Sequence, residues 1–281
     1  MGLRIATNIP SQSVQKNLKE VSSKASSHLE KLSSGRRITK SADDAAGLAI
    51  ATNLEAQTRG LRQATRNAND GISLVQTAEG GLNEVSNILV RLRELTIQAA
   101  SDTVGEKERG LLDKEYQQLV TEVDRISEST TFNGANLLNG EGSGEMDFQV
   151  GAFGGDQNKI TFDSSETDAS SGAIGVDGSG ISEKSDATDS IESVDGAIDH
   201  VSGLRANLGS IQSRLQSTVS NLEIQTINQD NARSVIQDVD VAHSTSELAS
   251  NQVVKSAAIS TLAQANNIPN SALRLDRKSV V

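Results

Sequence analysis

The residues that could do chemistry are few and scattered. His28, His200 and His243 are the only histidines, each in a helix-like stretch with no second histidine one turn away, the spacing a helical metal site favours. A polar or packed helix position accounts for each. Cysteine is absent, which removes disulfides, thiolate nucleophiles and Cys-ligated metals together. Asp186, Asp189, Glu192, Asp195 and Asp199 recur at helical spacing, but they lack the glycine and bidentate glutamate of a calcium loop and read as a solvated acidic face. Ser41-Ala42-Asp43-Asp44-Ala45-Ala46-Gly47 puts a glycine near a helix start, as phosphate loops do. It has no Gly-Lys-Ser/Thr ending, and its two carboxylates repel phosphate, so helix capping is the better role. No nucleophile, base or metal set is organised in one place, so the expectation is no enzyme, no cofactor and no metal site.

Composition speaks for shape instead. Hydrophobic residues make up 35% of the 281 and aromatics only 2%, while Ala, Ser, Asn and Gln recur throughout. That balance suits long, thin helical packing better than a thick core. The net charge is -11, and its placement is uneven: residues 141 to 200 hold fourteen Asp and Glu against Lys159 and Lys184. One acidic middle segment therefore carries the whole imbalance, which disfavours nucleic acid and anionic membranes as partners. No apolar run approaches the roughly 20 residues of a membrane span, so membrane insertion is not expected. The start, Met1 to Thr7, lacks the apolar run of a secretory signal, and Ala6 stands where a myristoylation pattern wants Ser or Thr.

Hydrophobic period supplies the elements. Val14, Leu18, Val21, Ala25 and Leu32, with His28 in register, form a heptad stripe after Pro10. Lys and Ser fill its other faces, so this helix needs a partner to bury its seam. A second helix is capped by Asp43 and Asp44 and carries Leu61, Ala64, Ala68, Ile72, Val75, Ala78, Leu82, Val85, Leu89, Leu92, Leu95 and Ala99 on one face. Residues 44 to 100 would make a rod of roughly 85 Å at about 1.5 Å per residue, with possible breaks at Gly60, Gly71 and Gly80-Gly81. A third helix, marked by Leu112, Tyr116, Leu119, Val123 and Ile126, returns antiparallel to it.

The period then changes. Asn133-Gly134 and Asn139-Gly140 are turn signals, and Met146, Phe148, Val150, Ile160 and Phe162 alternate. A small β-hairpin region is expected there, with Phe132, Phe148, Phe153 and Phe162 as its local core. Residues 163 to 190, rich in Ser, Gly, Asp and Thr, read as the most exposed and mobile part. Helical spacing resumes from Ile191 to Leu222, and a last helix runs from about Asp238 with Val254, Ala258, Leu262 and Ala265 on one stripe, ending before Pro269. The fold class expected is mainly α: a long antiparallel bundle or coiled coil built from the two ends, with a small β-hairpin region between.

Five stretches, in order, resemble the bacterial flagellins: Ser41 to Ile50 (SADDAAGLAI), Ala64 to Ile72 (ATRNANDGI), Arg91 to Ala100 (RLRELTIQAA), Asp124 to Leu138 (DRISESTTFNGANLL) and Leu262 to Pro269 (LAQANNIP). The resemblance covers residues 1 to 140 and 195 to 275 and leaves the acidic middle unmatched. It implies an inner coiled-coil domain from residues 1 to 42 plus 238 to 281, and a tube domain over 43 to 237. The tube domain would contain a β-hairpin region, 133 to 180, with an exposed acidic segment at about 141 to 190.

The same resemblance implies a structural subunit that polymerises with itself, is exported unfolded, is added at the filament tip and resides outside the cell in the flagellum. Val14, Leu18, Val21, Ala25, Leu32, Val254, Ala258, Leu262 and Ala265 would then be the inner assembly seam. Partners implied are the flagellar cap and hook-junction proteins and a secretion chaperone at the C-terminal segment. Arg91, Leu95 and Glu115 match the residues by which flagellins engage the flagellin-sensing Toll-like receptor of a host. The tail departs from the family's leucine-rich ending, reading Leu273-Arg274-Leu275-Asp276-Arg277 before Lys278 to Val281. A hook-filament junction protein would share the end helices, but the match continues through Leu138. An inserted enzyme or adhesin would need more than the roughly 50 residues, free of His and Cys, that the middle offers.

Overall fold

The computed structural model describes residues 7–140 and 144–276, with side chains to residue 267. The readings at Met1 to Ala6, at the tail beyond Asp276, and on side chains from 268 onward lie outside it. Among the described residues there are five α-helices: α1 (Ile9–Ser34), α2 (Ala45–Ala100), α3 (Glu106–Ser129), α4 (Lys184–Gln237) and α5 (Val241–Asp276). Two antiparallel strand pairs lie between α3 and α4: β1 (Thr131–Phe132) with β2 (Ala135–Asn136), and β3 (Glu145–Gln149) with β4 (Lys159–Asp163). The chain forms two compact units, an end unit of Met1–Ala56 with Gln229–Val281 and a middle unit of Gln57–Asn228, so the boundaries fall inside α2 and α4.

Local chemistry explains where the helices start. Asn8 caps α1 by accepting from the Ser11 N–H at 3.1 Å, and Pro10 sits in the first turn, where its missing N–H costs nothing. Asp44 caps α2, accepting from the Gly47 N–H at 2.8 Å. Asp43 serves the preceding turn instead, taking the Thr39 and Lys40 N–H groups, and those backbone donors, Thr39 first, hold its carboxyl below the usual range. At the other end, α5 runs past Pro269 to Asp276, where an ending before the proline was expected. A proline deletes one helical donor and crowds the preceding turn, a cost a continuing helix can absorb by bending.

In the middle unit α2 is continuous through all four glycines named above. Three of them are sites of close approach: a Cβ on Gly60 would stand 3.3 Å from Ala152 Cβ, on Gly71 3.2 Å from the Phe148 ring, and on Gly81 2.7 Å from Leu138. Removing the side chain there lets the hairpins lie on the helix, and tertiary packing offsets the low propensity. The expected α2 face is buried from Leu61 to Ala99, with Ile72 half-buried; from Ala68 on it packs with Tyr116, Val120 and Val123 of α3 and the Val194 to Leu215 stripe of α4, while Leu61 and Ala64 pack with Leu222.

The β1–β2 turn uses Asn133 (φ 50°) and Gly134 (φ 81°), left-handed at both central positions as a two-residue hairpin requires. Register places Met146 opposite Phe162 and Phe148 opposite Ile160, so both pairs share the face turned to the core. Phe153 is a correction to the expected aromatic core: it is 60% exposed, at the tip between β3 and β4. Strand structure also stops at Asp163, well short of residue 180.

The stretch after it overturns the reading of an exposed segment. Ala169, Ile174, Val176 and Ile181 are buried in the same core, while Glu166, Asp177 and Glu183 stay at the surface. Side chains of α3 satisfy this strap's backbone: Asp124 accepts from the Ser171 N–H and hydroxyl, Asp113 from the Ile181 N–H, and Gln117 donates to the Ser179 carbonyl. The Tyr116 hydroxyl is 2.6 Å from that of Ser179, and burial pushes its pKa up. Four aliphatic side chains suffice to seat an irregular chain once its backbone donors have partners.

Candidate assembly surfaces

The end unit is built from α1 against α5, antiparallel and fastened at both ends by polar bonds. Asn8 Nδ2 donates to the Ala265 carbonyl at 2.9 Å and Ser11 Oγ to Asn266 Oδ1 at 2.8 Å. At the opposite end the Arg37 N–H donates to the Gln237 carbonyl at 2.7 Å and the Val239 N–H to the Gly35 carbonyl, two backbone bonds that make an isolated antiparallel bridge of Arg36 with Asp238. Between these fasteners the seam is thin. Val14, Leu18, Val21, Ala25 and Leu32 of α1 are half-buried, as are Ala258 and Leu262 of α5, and Ala265 is buried.

Val254 departs from this seam at 47% exposed. The stripe of α5 turned toward α1 runs through Ser244, Leu248, Asn251, Ala258, Leu262 and Ala265, in steps of three, four and seven, and Val254 falls beside it. Ser244 and Asn251 occupy this stripe as polar residues, which an apolar pattern skips, and the apolar Leu248 on it went unread as well. His28 is half-buried on the same side of α1, its Nδ1 enclosed with no hydrogen-bond partner among the described residues.

The other faces of these helices carry apolar residues that sequence reasoning passed over. Ile9, Leu29, Val241, Val253 and Ile259 are all exposed, Val253 at 70%. The signal was present at Leu29, which stands between His28 and Glu30, and at Val253, which stands among Asn251, Gln252 and Lys255, on faces that need no apolar side chain within one chain.

In the middle unit, Arg91 of α2 and Glu115 of α3 meet at the surface. Arg91 donates through Nε and Nη2 to Glu115 Oε1 at 3.1 and 2.8 Å, and through Nη1 to Glu94 Oε2 at 2.9 Å. The Glu115 bond, then Glu94, holds the guanidinium pKa above its usual value. Leu95, one turn on from Arg91, is 1% exposed and belongs to the core beneath the pair. The three residues are thus neighbours, two presented outward and one turned in. Glu94 completes the set and was legible as an i,i+3 partner of Arg91. Arg109, 9% exposed, also went unread: its Nε and Nη2 donate to the Ala99 and Ser101 carbonyls, closing the C-terminus of α2.

Among the described residues no group of three or more His, Asp or Glu could hold a metal ion, and no helix is long and apolar enough to cross a membrane. What the arrangement offers is surface: an end unit with a half-buried seam and bare apolar faces, and a well-packed middle unit presenting paired charges.

Comparison with known proteins gives the same pattern a family. The model of the bacterial flagellin N-terminal helical region matches residues 5–143, and that of the C-terminal helical region matches residues 191–275. A flagellin of Halalkalibacterium halodurans is 40% identical over 270 residues, covering 96% of this chain and 98% of its own. A flagellar filament core protein of Brachyspira hyodysenteriae is 38% identical, covering 96% of this chain and 99% of its own. Among solved structures, the crystal structure of Bacillus cereus flagellin superposes with a TM-score of 0.50 at 29% identity, covering 56% of this chain and 88% of that one. By its family-model matches and these relatives, the chain belongs to the bacterial flagellins.

Proposed function

We propose that this chain is the structural subunit of a bacterial flagellar filament and acts by polymerising with copies of itself. The observation that carries the proposal is the end unit's apolar surface: Ile9, Leu29, Val241, Val253 and Ile259 stand in water on helices whose mutual seam is only half-buried. Area of that kind is stabilised by burial at about 25 cal/mol per Å², and neighbouring copies are the partner a filament supplies. The relative from Brachyspira hyodysenteriae is itself named a filament core protein. The seam residues Val14 to Leu32 and Ala258 to Ala265 set the α1–α5 pairing that the inner wall of such a filament would repeat, with Val254 on an outer face. Deleting residues 1 to 30 should leave the middle unit folded and abolish assembly; filaments in electron micrographs of that deletion would refute the reading.

The finer roles belong to the same proposal. Export in an unfolded state suits a chain without disulfides, and growth at the tip outside the cell would bring it against the cap and hook-junction proteins. A secretion chaperone would take the C-terminal segment before export. For a host Toll-like receptor, the presented feature is the Arg91–Glu115 pair, with Leu95 positioning it from below. Arg91→Ala and Glu115→Ala chains that fold and bind immobilised receptor with unchanged affinity would remove that role; Leu95→Ala is the poorer probe, because truncating a buried leucine disturbs the core itself.

A further inference from the structure

The chain holds two Asn-Gly pairs, Asn133-Gly134 and Asn139-Gly140, and the fold treats them differently. Asn133 and Gly134 form the tip of the β1–β2 hairpin, and both are exposed. Asn133 is left-handed at φ 50°, the one non-glycine residue so placed among those described. Its side-chain amide and the Gly134 N–H have no hydrogen-bond partner among the described residues. Behind the tip stand two paired positions, Phe132 with Ala135 and Thr131 with Asn136, and so short a ribbon opens readily. Asn139 and Gly140, by contrast, are half-buried, and Asn139 has a partner. The residues just before them are pinned: Leu137 and Leu138 are fully buried, and the Ala169 N–H donates to the Leu138 carbonyl at 2.8 Å. The Asp168 carboxylate stands against Gly140, where a Cβ would lie 2.5 Å from its Oδ2.

We propose that Asn133 is a site of self-modification, where the Gly134 backbone nitrogen displaces the side-chain amide and water completes conversion to aspartate or isoaspartate. Solvent takes the Gly134 amide proton, the nitrogen bonds to Asn133 Cγ, and the Cγ–Nδ2 bond breaks, releasing ammonia and leaving a cyclic imide. Water then opens the imide at either carbonyl, so both acids form. Glycine permits the attack, because no Cβ shields its nitrogen and its backbone turns freely to bring that nitrogen to Cγ. Ring closure requires Asn133 to leave its turn conformation, which the short ribbon allows and the packing around Asn139 resists. Asp168 adds a second barrier at the Asn139 pair, since a carboxylate beside Gly140 disfavours the anion its nitrogen must become. Either product puts a negative charge on the hairpin tip, and isoaspartate also adds a methylene to a turn shaped for two residues. The Phe132–Ala135 pair cannot keep its register around that longer turn, so half-buried Phe132 loosens from the core it packs against. The reaction concerns the middle unit alone and does not depend on the filament reading.

Full-length chain held in mildly alkaline buffer and digested with trypsin gives a peptide from Ile126 to Lys159 that carries both pairs, and its fragmentation in a mass spectrometer reads them in one molecule. Residue 133 should turn to acid, in two isomeric forms, about tenfold faster than residue 139. In chain unfolded by denaturant the two should convert at similar rates, because each asparagine precedes glycine. Equal rates in the folded chain, or an Asn133 that stays intact while the denatured control converts, would overturn the proposal. Asn133→Gly suits the left-handed turn and carries no amide to lose, so it should remove the acidic species that the unsubstituted chain accumulates on anion exchange. Undiminished accumulation of that species in Asn133→Gly would place the chemistry at another residue and overturn the proposal as well.

Discussion

The two units spend the same kinds of residue in opposite ways. The middle unit buries Leu82, Leu89, Leu92, Tyr116, Leu137, Phe162 and Leu208 completely, whereas the hydrophobic residues fully enclosed in the end unit are Ile38, Ala51 and Ala265 among those described. The end unit holds α1 to α5 with side-chain amides, hydroxyls and two backbone bonds near Gly35, and leaves valines and isoleucines outside. The middle unit closes a core of its own while still exposing Leu111, Phe153, Ile224 and Ile227; the end unit encloses far less. Stability and assembly should therefore respond to different substitutions, and that contrast can be broken.

The largest effect is expected in the middle core. Leu92→Ala removes a side chain with 0% exposure and should lower the unfolding free energy by about 2–5 kcal/mol, read from denaturant melts followed by circular dichroism. The same truncation at half-buried Leu18 should barely move that melt while sharply reducing filament yield. A Leu18→Ala melt shifted as far as that of Leu92→Ala would erase the contrast. Next comes Arg109→Met, which strips the Ala99 and Ser101 carbonyls of a buried donor and should cost about 1–3 kcal/mol. Lysine should not restore it, because it lacks the planar fork that reaches both carbonyls.

A stabilising change sharpens the comparison from the other side. Thr58 is 1% exposed with its hydroxyl unpartnered among the described residues, so Thr58→Val should raise stability by about 0.5–1 kcal/mol in the same melts. Acid should have the smallest effect. Bonds from Lys184, Arg93 and Arg125 hold the carboxyls of Asp102, Asp195 and Glu122 below their usual range. A carboxyl depressed in the folded state stabilises above its unfolded value and loses that contribution as pH falls through the folded one, so the melt should weaken only below about pH 4. All three pairs are exposed, and added salt should flatten the dependence. A steep loss near neutral pH would point to a group other than these.

Legibility followed periodicity. The face of α2 from Leu61 to Ala99 was readable because a long helix repeats one orientation many times, and any single exception, such as half-buried Ile72, is outvoted. The strap from Ser164 to Ile181 has no period, so its polar composition read as exposure. It is seated by Asp113, Gln117 and Asp124, which precede it by some 45 to 70 positions. Val254 was misplaced because Ser244 and Asn251 carry the α5 stripe without being apolar. The site residues divide in the same way: the inward turn of Leu95 was legible from its place on the periodic α2 face, whereas the meeting of Arg91 with Glu115 depends on how α2 and α3 pack.

By itself the sequence determined the helices, the boundary at Pro10, the cap at Asp44, the turn at Asn133-Gly134, and an inventory without cysteine. Those are local or compositional properties, set by backbone sterics, capping chemistry and a repeat of three or four residues. Only the tertiary structure decided that α2 glycines are landing places for hairpins, that an acidic polar stretch packs inward, and that Phe153 stays out. The reason is one of range: each of these depends on what a distant segment leaves open or fills, and a chain's near neighbours carry no record of that.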